Sequence, residues 1–414
     1  MQLLDAHFFA GDVVTPAMTF FSSEQAAAFR RGMRMQLLSG FLFLIAMVFW
    51  IATESSVCSA QTDTSTDTPS SAHSNGQLPD APEADSAGYA PVLSGTFAYV
   101  QGNAAGVTSL VPQIVPVLLV PMGHSVLLES RVEFTGFFQR ESLPNAPFSG
   151  RFAGKVLKTV DYAQLDWLAD SHAMFAAGRI ILPFGLYSER LAAVWIRNLQ
   201  DAPLTYSIGT HPYGAADGFM IRGVATSHPA ANIQYSAFFS AHSNTNQLQA
   251  VRAIGGDTSI FFPSQRFETG LSYQRTLEGY QINNEAAYVS WQPPQVNLDL
   301  KAEYDRNHYG HGYWIEAAHI PQNFFVAPEF FRHFQLVGRI EQEFVRNGGR
   351  NGLPTADETR PEVGMNYLIH DDWRLISSYG RLFSSKGNSN TWNWGFTYRF
   401  VWPLWPGKRD EKIN

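Results

Sequence analysis

Charged residues two positions apart recur along this chain, and the spacing decides what chemistry they can do. Phe334 to Phe344 sets Arg339, Glu341 and Glu343 against Phe334, Leu336, Ile340 and Phe344. Asn297, Asp299, Lys301, Glu303 and Asp305 alternate with Leu298, Leu300, Ala302 and Tyr304, and Arg131 and Glu133 alternate with Val132 and Phe134. Period two puts each set on its own face of a strand. Mixed charges on a wet face can sort solutes by size and sign. Bond-making chemistry would need a nucleophile held by an oriented base. No G-x-S-x-G elbow and no H-E-x-x-H is present. Ser290 and His319 are the available nucleophile and base, and no spacing joins them. His308 and His311, with Asp305 and Tyr309, are the best local metal-type cluster, but they fall in an external turn where histidines are solvated. The expectation is no enzyme, no catalytic residue, no cofactor and no metal.

The elements that must carry these charges are strands of a membrane barrel. In Thr391 to Phe400 every even residue is aromatic (Trp392, Trp394, Phe396, Tyr398, Phe400), while Asn393, Gly395, Thr397 and Arg399 are polar or small. A strand of an outer-membrane barrel shows such an aromatic face to lipid and its polar face to a wet lumen. Aromatics make up 14% of the 414 residues and charged residues only 16%, yet apart from residues 37–52 there is no long apolar run. Lipid contact without long apolar runs requires strands, since only alternate residues need be apolar. The expected fold is all-β: a transmembrane antiparallel β-barrel of about sixteen strands over residues 93–400, centred near residues 97, 117, 132, 162, 177, 222, 237, 255, 271, 286, 301, 316, 339, 365, 377 and 396. An even count keeps both ends on the periplasmic side, and sixteen strands enclose water. The net charge of −7 gives no footprint for nucleic acid.

The longest connection, residues 183–217, is expected as the third external loop. Unpatterned loops of that length are usually functional or disordered, and this one carries Pro, Trp and both charge signs. If it folds inward, Glu189, Arg190, Arg197, Asp201 and Asp217 form the pore constriction. Facing them, Arg131, Glu133, Lys158, Arg179, Arg222 and Arg339 are expected to line the pore. Further expected lumen groups are Glu129, Glu268, Glu285, Asp299, Lys301, Glu303, Glu316, Glu341, Glu343, Glu362, Arg374 and Arg399.

Arg30, Arg31 and Arg34 precede the apolar run Leu37 to Ala52, and Val57-Cys58-Ser59-Ala60 follows it. That is a charged region, an apolar region and a small-residue cleavage site. Cleavage after Ala60 removes Cys58, the single cysteine, and translation from Met33 or Met35 places residues 1–32 outside the protein. Residues 1–60 are therefore read as an upstream segment plus signal peptide, and 61–92 as a disordered periplasmic linker of Ser, Thr, Asp, Pro and Ala. Residues 401–414 are read as a periplasmic tail.

"GRIILPFGLYSER" (Gly178 to Arg190), "GGDTSIFFPSQRFETGLSYQR" (Gly255 to Arg275) and "HGYWIEAAHI" (His311 to Ile320) resemble strands of outer-membrane porins of the phosphate-selective O and P type. The resemblance spans roughly residues 94–400 and implies a sixteen-stranded, often trimeric diffusion channel of a Gram-negative outer membrane. Its partners would be outer-membrane lipids and small hydrophilic solutes. Phosphate selectivity in that family needs an arginine ladder and a lysine cluster, whereas this chain has six lysines and a mixed to acidic lumen. The function expected is passive diffusion, selected by size and charge at the 183–217 loop. The alternatives are a barrel hydrolase acting on lipid or peptide, and a non-conducting structural barrel.

Overall fold

In a computed structural model, the described residues run from 90 to 404, with breaks at 105, 142–151, 192, 208–213, 242–251, 279–280, 322–330 and 347–355. The segments read as an upstream region and signal peptide, nearly all of the 61–92 linker, and residues 405–414 of the tail lie outside them. So do the middles of the connections between the strands expected near residues 132 and 162, 316 and 339, and 339 and 365.

Sixteen antiparallel strands close on themselves, each bonded to its neighbours in sequence and the last to the first. They are β1 (Val92–Ala104), β2 (Val107–Met122), β3 (Val126–Glu141) and β4 (Ala153–Leu168), then β5 (Met174–Ile181), β6 (Ala215–His228), β7 (Ala231–Ser240) and β8 (Ala253–Phe262). β9 (Phe267–Thr276), β10 (Asn283–Trp291), β11 (Leu298–Arg306) and β12 (Gly310–His319) follow, then β13 (Phe334–Val345), β14 (Glu358–His370), β15 (Trp373–Ser384) and β16 (Ser389–Pro403). Each expected strand centre falls within one of them.

Closure leaves no edge to stitch onto another chain, because the last strand pairs with the first. The exterior is apolar in alternation: Leu271 is 68% exposed, Phe219 66% and Trp392 55%. β2 tolerates Pro112 and Pro116 because its ladder with β1 is continuous, while its ladder with β3 skips residues 111–112 and 115–116. A proline has no N–H to donate, so it sits where a rung can be omitted. β16 runs three residues past the expected boundary, pairing Trp402 with Leu93 and Val401 with Ser94. Phe400 shares the aromatic face but is only 4% exposed. Its ring covers Gly95, where a Cβ would lie 2.8 Å from its Cζ, and packs on Phe97 and Trp402 at 5.2 and 4.6 Å.

Candidate functional site

The described residues of the connection between β5 and β6, 182–191 and 193–207, enter the barrel and are fastened to one wall of it. The base of the connection is closed by the Leu182 N–H donating to Gly214 O at 2.9 Å. Gly185 then donates to Ser272 Oγ on β9 at 2.9 Å. The next two amides, Leu186 and Tyr187, both donate to Glu303 Oε2 on β11, at 2.6 and 3.3 Å. Gly185 has φ +62°, and a Cβ there would lie 2.2 Å from Glu303 Oε1, so only glycine lets the backbone come so close to the carboxylate. Residues Tyr187–Leu191 form a π turn, from which Arg190 reaches Glu268 on β9 at 2.6 Å.

Further along, Arg374 on β15 donates to Val194 O at 3.1 Å. The Trp195 ring lies under two guanidinium groups, Arg374 and Arg399, each 5.5 Å from its centroid. Asn198 donates to Glu316 on β12 at 2.9 Å, and its backbone carbonyl accepts from Asn366 on β14 at 2.8 Å. Arg339 on β13 donates to Asp201 O at 2.7 Å, and Arg360 on β14 donates to Ala202 O at 2.5 Å. The Leu204 N–H, opening the one-turn helix Leu204–Ser207, donates to Glu341 Oε2 at 2.6 Å. Wall side chains thus satisfy backbone groups that a non-regular segment inside a membrane protein must place somewhere.

Apolar contacts seal the same wall. Leu186, Tyr187 and Leu191 pack on Tyr288 and Trp314, and Leu199 packs on Ala318 and Val337. Burial pushes the hydroxyls of Tyr187 and, further, Tyr206 up from their ordinary range, so both remain neutral where their rings meet at 4.3 Å. Beneath the segment, Arg339 contacts Glu316, Glu341 and Glu362 at 3.6, 3.4 and 2.7 Å, and Arg360 contacts Glu341 at 2.6 Å and Asp201 at 3.5 Å. Buried charges demand such pairing.

Arg190, Arg197 and Asp201 lie on the inward segment; Arg197 Nε donates to Leu191 O at 3.1 Å with its guanidinium 5.3 Å from the Tyr187 ring centroid. Glu189 belongs to the π turn, but its side chain lies outside the described residues. Arg131 and Glu133 are on the inner face of β3: Arg131 pairs with Asp161 at 2.6 Å, and Glu133 accepts from Gln113 at 3.1 Å and from Thr135. Arg222 shares the inner face of β6 with its neighbours Met174 and Ser236. Arg339 belongs to the fastened wall.

Four expectations are corrected by register. Lys158 pairs with Phe134, itself opposite Ile114, on the outer face; a bulge at Asp161 shifts the parity of β4, and Lys155 takes the inner position. Arg179 pairs with Ala163 and Asp217, next to the exposed Phe219, so both charges are on the outer face. Asp217 is also within β6, which begins at Ala215, two residues before the end expected for the loop. Glu285 pairs with the exposed Tyr273. The cause is shared by β5 and β10. Where the segment packs, the lumen needs apolar contacts, so Ile180 and Tyr288 turn inward and the charges beside them turn out. The same alternation separates two considered constellations. Ser290 is on the inner face with Glu268 and Lys301 while His319 pairs with the outer Leu336, and Asp305 is inner while His311 pairs with Phe344 on the outer face.

Trp195, Asn198, Asn366 and Arg360 were not anticipated. Arg360 carries a faint signal, since Arg360-Pro361-Glu362 alternates ahead of the strand centre near 365. Trp195 and Asn198 stand in an aperiodic segment with no signal to find them.

No family model matches the chain, and no curated protein matches it. Solved structures do. OprB of Pseudomonas putida at low pH aligns with a TM-score of 0.51 and 9% identity, covering 75% of this chain and 93% of that one. An anion-selective porin from Comamonas acidovorans aligns at 0.49 and 10% identity, covering 75% and 99%. OmpT, an outer membrane protein of Vibrio cholerae in a trimer form, aligns at 0.48 and 11%, covering 75% and 100%. The OprB likeness establishes the barrel fold. A closed antiparallel barrel with an apolar exterior and a charged interior belongs in the outer membrane.

Proposed function

We propose that the protein is a porin through which small hydrophilic solutes and ions diffuse passively. The observation that carries this reading is the inward segment, held inside a sixteen-strand barrel by side chains of β9 and β11–β15. A barrel of this size encloses water unless something narrows it. The passage runs between the segment and the wall of β1–β6, where Arg131, Asp161, Glu133 and Arg222 line the inner face. Arg190, Arg197 and Asp201 act from the segment side, sorting solutes by size and charge. Within porins, the motifs at Gly178, Gly255 and His311 favour the phosphate-selective O and P type as relative, and a homotrimer as assembly. Phosphate is not the preferred solute, because Lys158 is outside the lumen and carboxylates crowd the fastened wall.

Planar-bilayer recording of refolded protein under a KCl gradient tests the proposal. Stepwise ohmic openings with a small reversal potential are expected. Silence accompanied by turnover of an ester or lipid substrate would replace the porin with a hydrolase, and silence alone would leave a structural barrel.

A further inference from the structure

Four arginines among the described residues are buried: Arg179, Arg339, Arg360 and Arg374. Arg179 pairs with Asp217, and Arg339 and Arg360 share Glu341. Arg374, 6% exposed, forms no ion pair with any described residue. Its Nη2 donates to Val194 O at 3.1 Å, while its Nε is buried and has no hydrogen-bond partner. Directly opposite it on β16 stands the buried Thr397, whose hydroxyl has no partner either. Directly opposed side chains have Cβ atoms about 4.5–5.5 Å apart, so the two groups face one small space. The Trp195 ring lies 5.5 Å from the guanidinium of Arg374 and equally far from that of Arg399. Arg399 is 40% exposed and pairs with Asp372 at 3.3 Å. Among the described residues, two guanidinium groups thus share one carboxylate, and one positive charge is left over.

We infer that Arg374 and Thr397 hold a small monovalent anion, of the class of chloride, that locks the inward segment at Val194 and Trp195. A buried guanidinium needs a counter-charge, and an indole face supplies only its quadrupole. The free groups are an N–H and an O–H, both able to donate, which suits an anion and not a metal cation. Leu368 and Ala98 flank the pair on the same row of the sheet, so the space is bounded by apolar side chains and takes a small ion stripped of most of its water. The charge left over is one, which a monovalent ion balances and a phosphate dianion would overshoot. Arg399, at the exposed side, gives the ion its way in. The ion sits between segment and wall, so it fastens the segment and is not a passing solute. The inference stands on the fastened segment and does not require conduction.

The test uses the refolded full barrel in potassium chloride and potassium gluconate mixed at constant ionic strength, since gluconate is too large for the space. Raising chloride to about ten times its dissociation constant should slow tryptic cleavage at Arg197 roughly tenfold. Thr397→Val, which keeps the shape and removes the hydroxyl, should be cleaved at one rate in both salts, as should Arg374→Gln. A folded band on unheated gels establishes that each variant has formed its barrel. Crystals of the wild type grown in bromide should give an anomalous peak between Arg374 Nε and Thr397 Oγ1. Water alone at that position would overturn the inference. So would a bromide peak with no chloride effect on wild-type cleavage (an adventitious ion only), or undiminished chloride protection in folded Thr397→Val.

Discussion

The backbone N–H of Leu204 donates to Glu341 Oε2 at 2.6 Å, joining the inward segment to the wall through two residues 137 positions apart. The same carboxylate accepts from Arg360 Nε at 2.6 Å and lies 3.4 Å from Arg339 Nε. One side chain therefore neutralises two buried guanidinium groups and anchors the start of a helical turn. Replacing it by Ala leaves both cations undercompensated, and breaking a buried pair from one side costs about 3–5 kcal/mol. Glu341→Ala is expected to lower the temperature at which the folded band is lost on unheated gels, with Glu341→Gln intermediate. An unchanged midpoint would remove Glu341 from the anchor.

Gly185 is the tightest approach between segment and wall. Ala there would need a left-handed φ of +62° and a Cβ 2.2 Å from Glu303 Oε1. Such strain costs about 1–3 kcal/mol and falls on the segment, since the strand ladder is untouched. Gly185→Ala should leave the barrel folded but speed tryptic cleavage at Arg190 or Arg197 in intact outer membranes. Equal cleavage rates would mean that the segment is held from elsewhere.

Lys158 and Arg131 make a paired control. They lie on neighbouring strands, one outside and one inside, because of the bulge at Asp161. Arg131→Gln should move the reversal potential toward cation preference, and Lys158→Gln should leave it where it was. The opposite result would invert the register argument.

Arg197 sits on the segment with its guanidinium over Tyr187. Arg197→Glu changes the local charge by two units and is expected to shift the reversal potential toward cations. An unaltered value would take this residue out of the conduction path.

Much of this arrangement was legible from sequence because lipid imposes a period. Each strand exposed to acyl chains must alternate, so the strand centres could be read from residue 97 to residue 396. The long connection was visible as a gap in that period. Facing was readable where the inner wall carries no packed segment, as at Arg131 and Glu133, and misleading where the segment packs on it. Tyr288 and Trp314 turn inward to meet Leu186 and Leu191, which reverses the rule of polar residues inside. The bulge at Asp161 was equally invisible, since an extra residue leaves no mark in composition. Asn198 and Trp195 belong to a segment whose conformation is set by its partners 100 or more residues away, beyond any local pattern.

On the proposed function, the segment between β5 and β6 narrows a conducting lumen. Single-channel conductance of the wild type should be compared with that of a variant in which residues 186–207 are replaced by a short Gly/Ser linker. Discrete openings are expected from both proteins, with larger conductance and weaker ion discrimination in the variant. Openings of the same size and selectivity in both, or none in either, would contradict it.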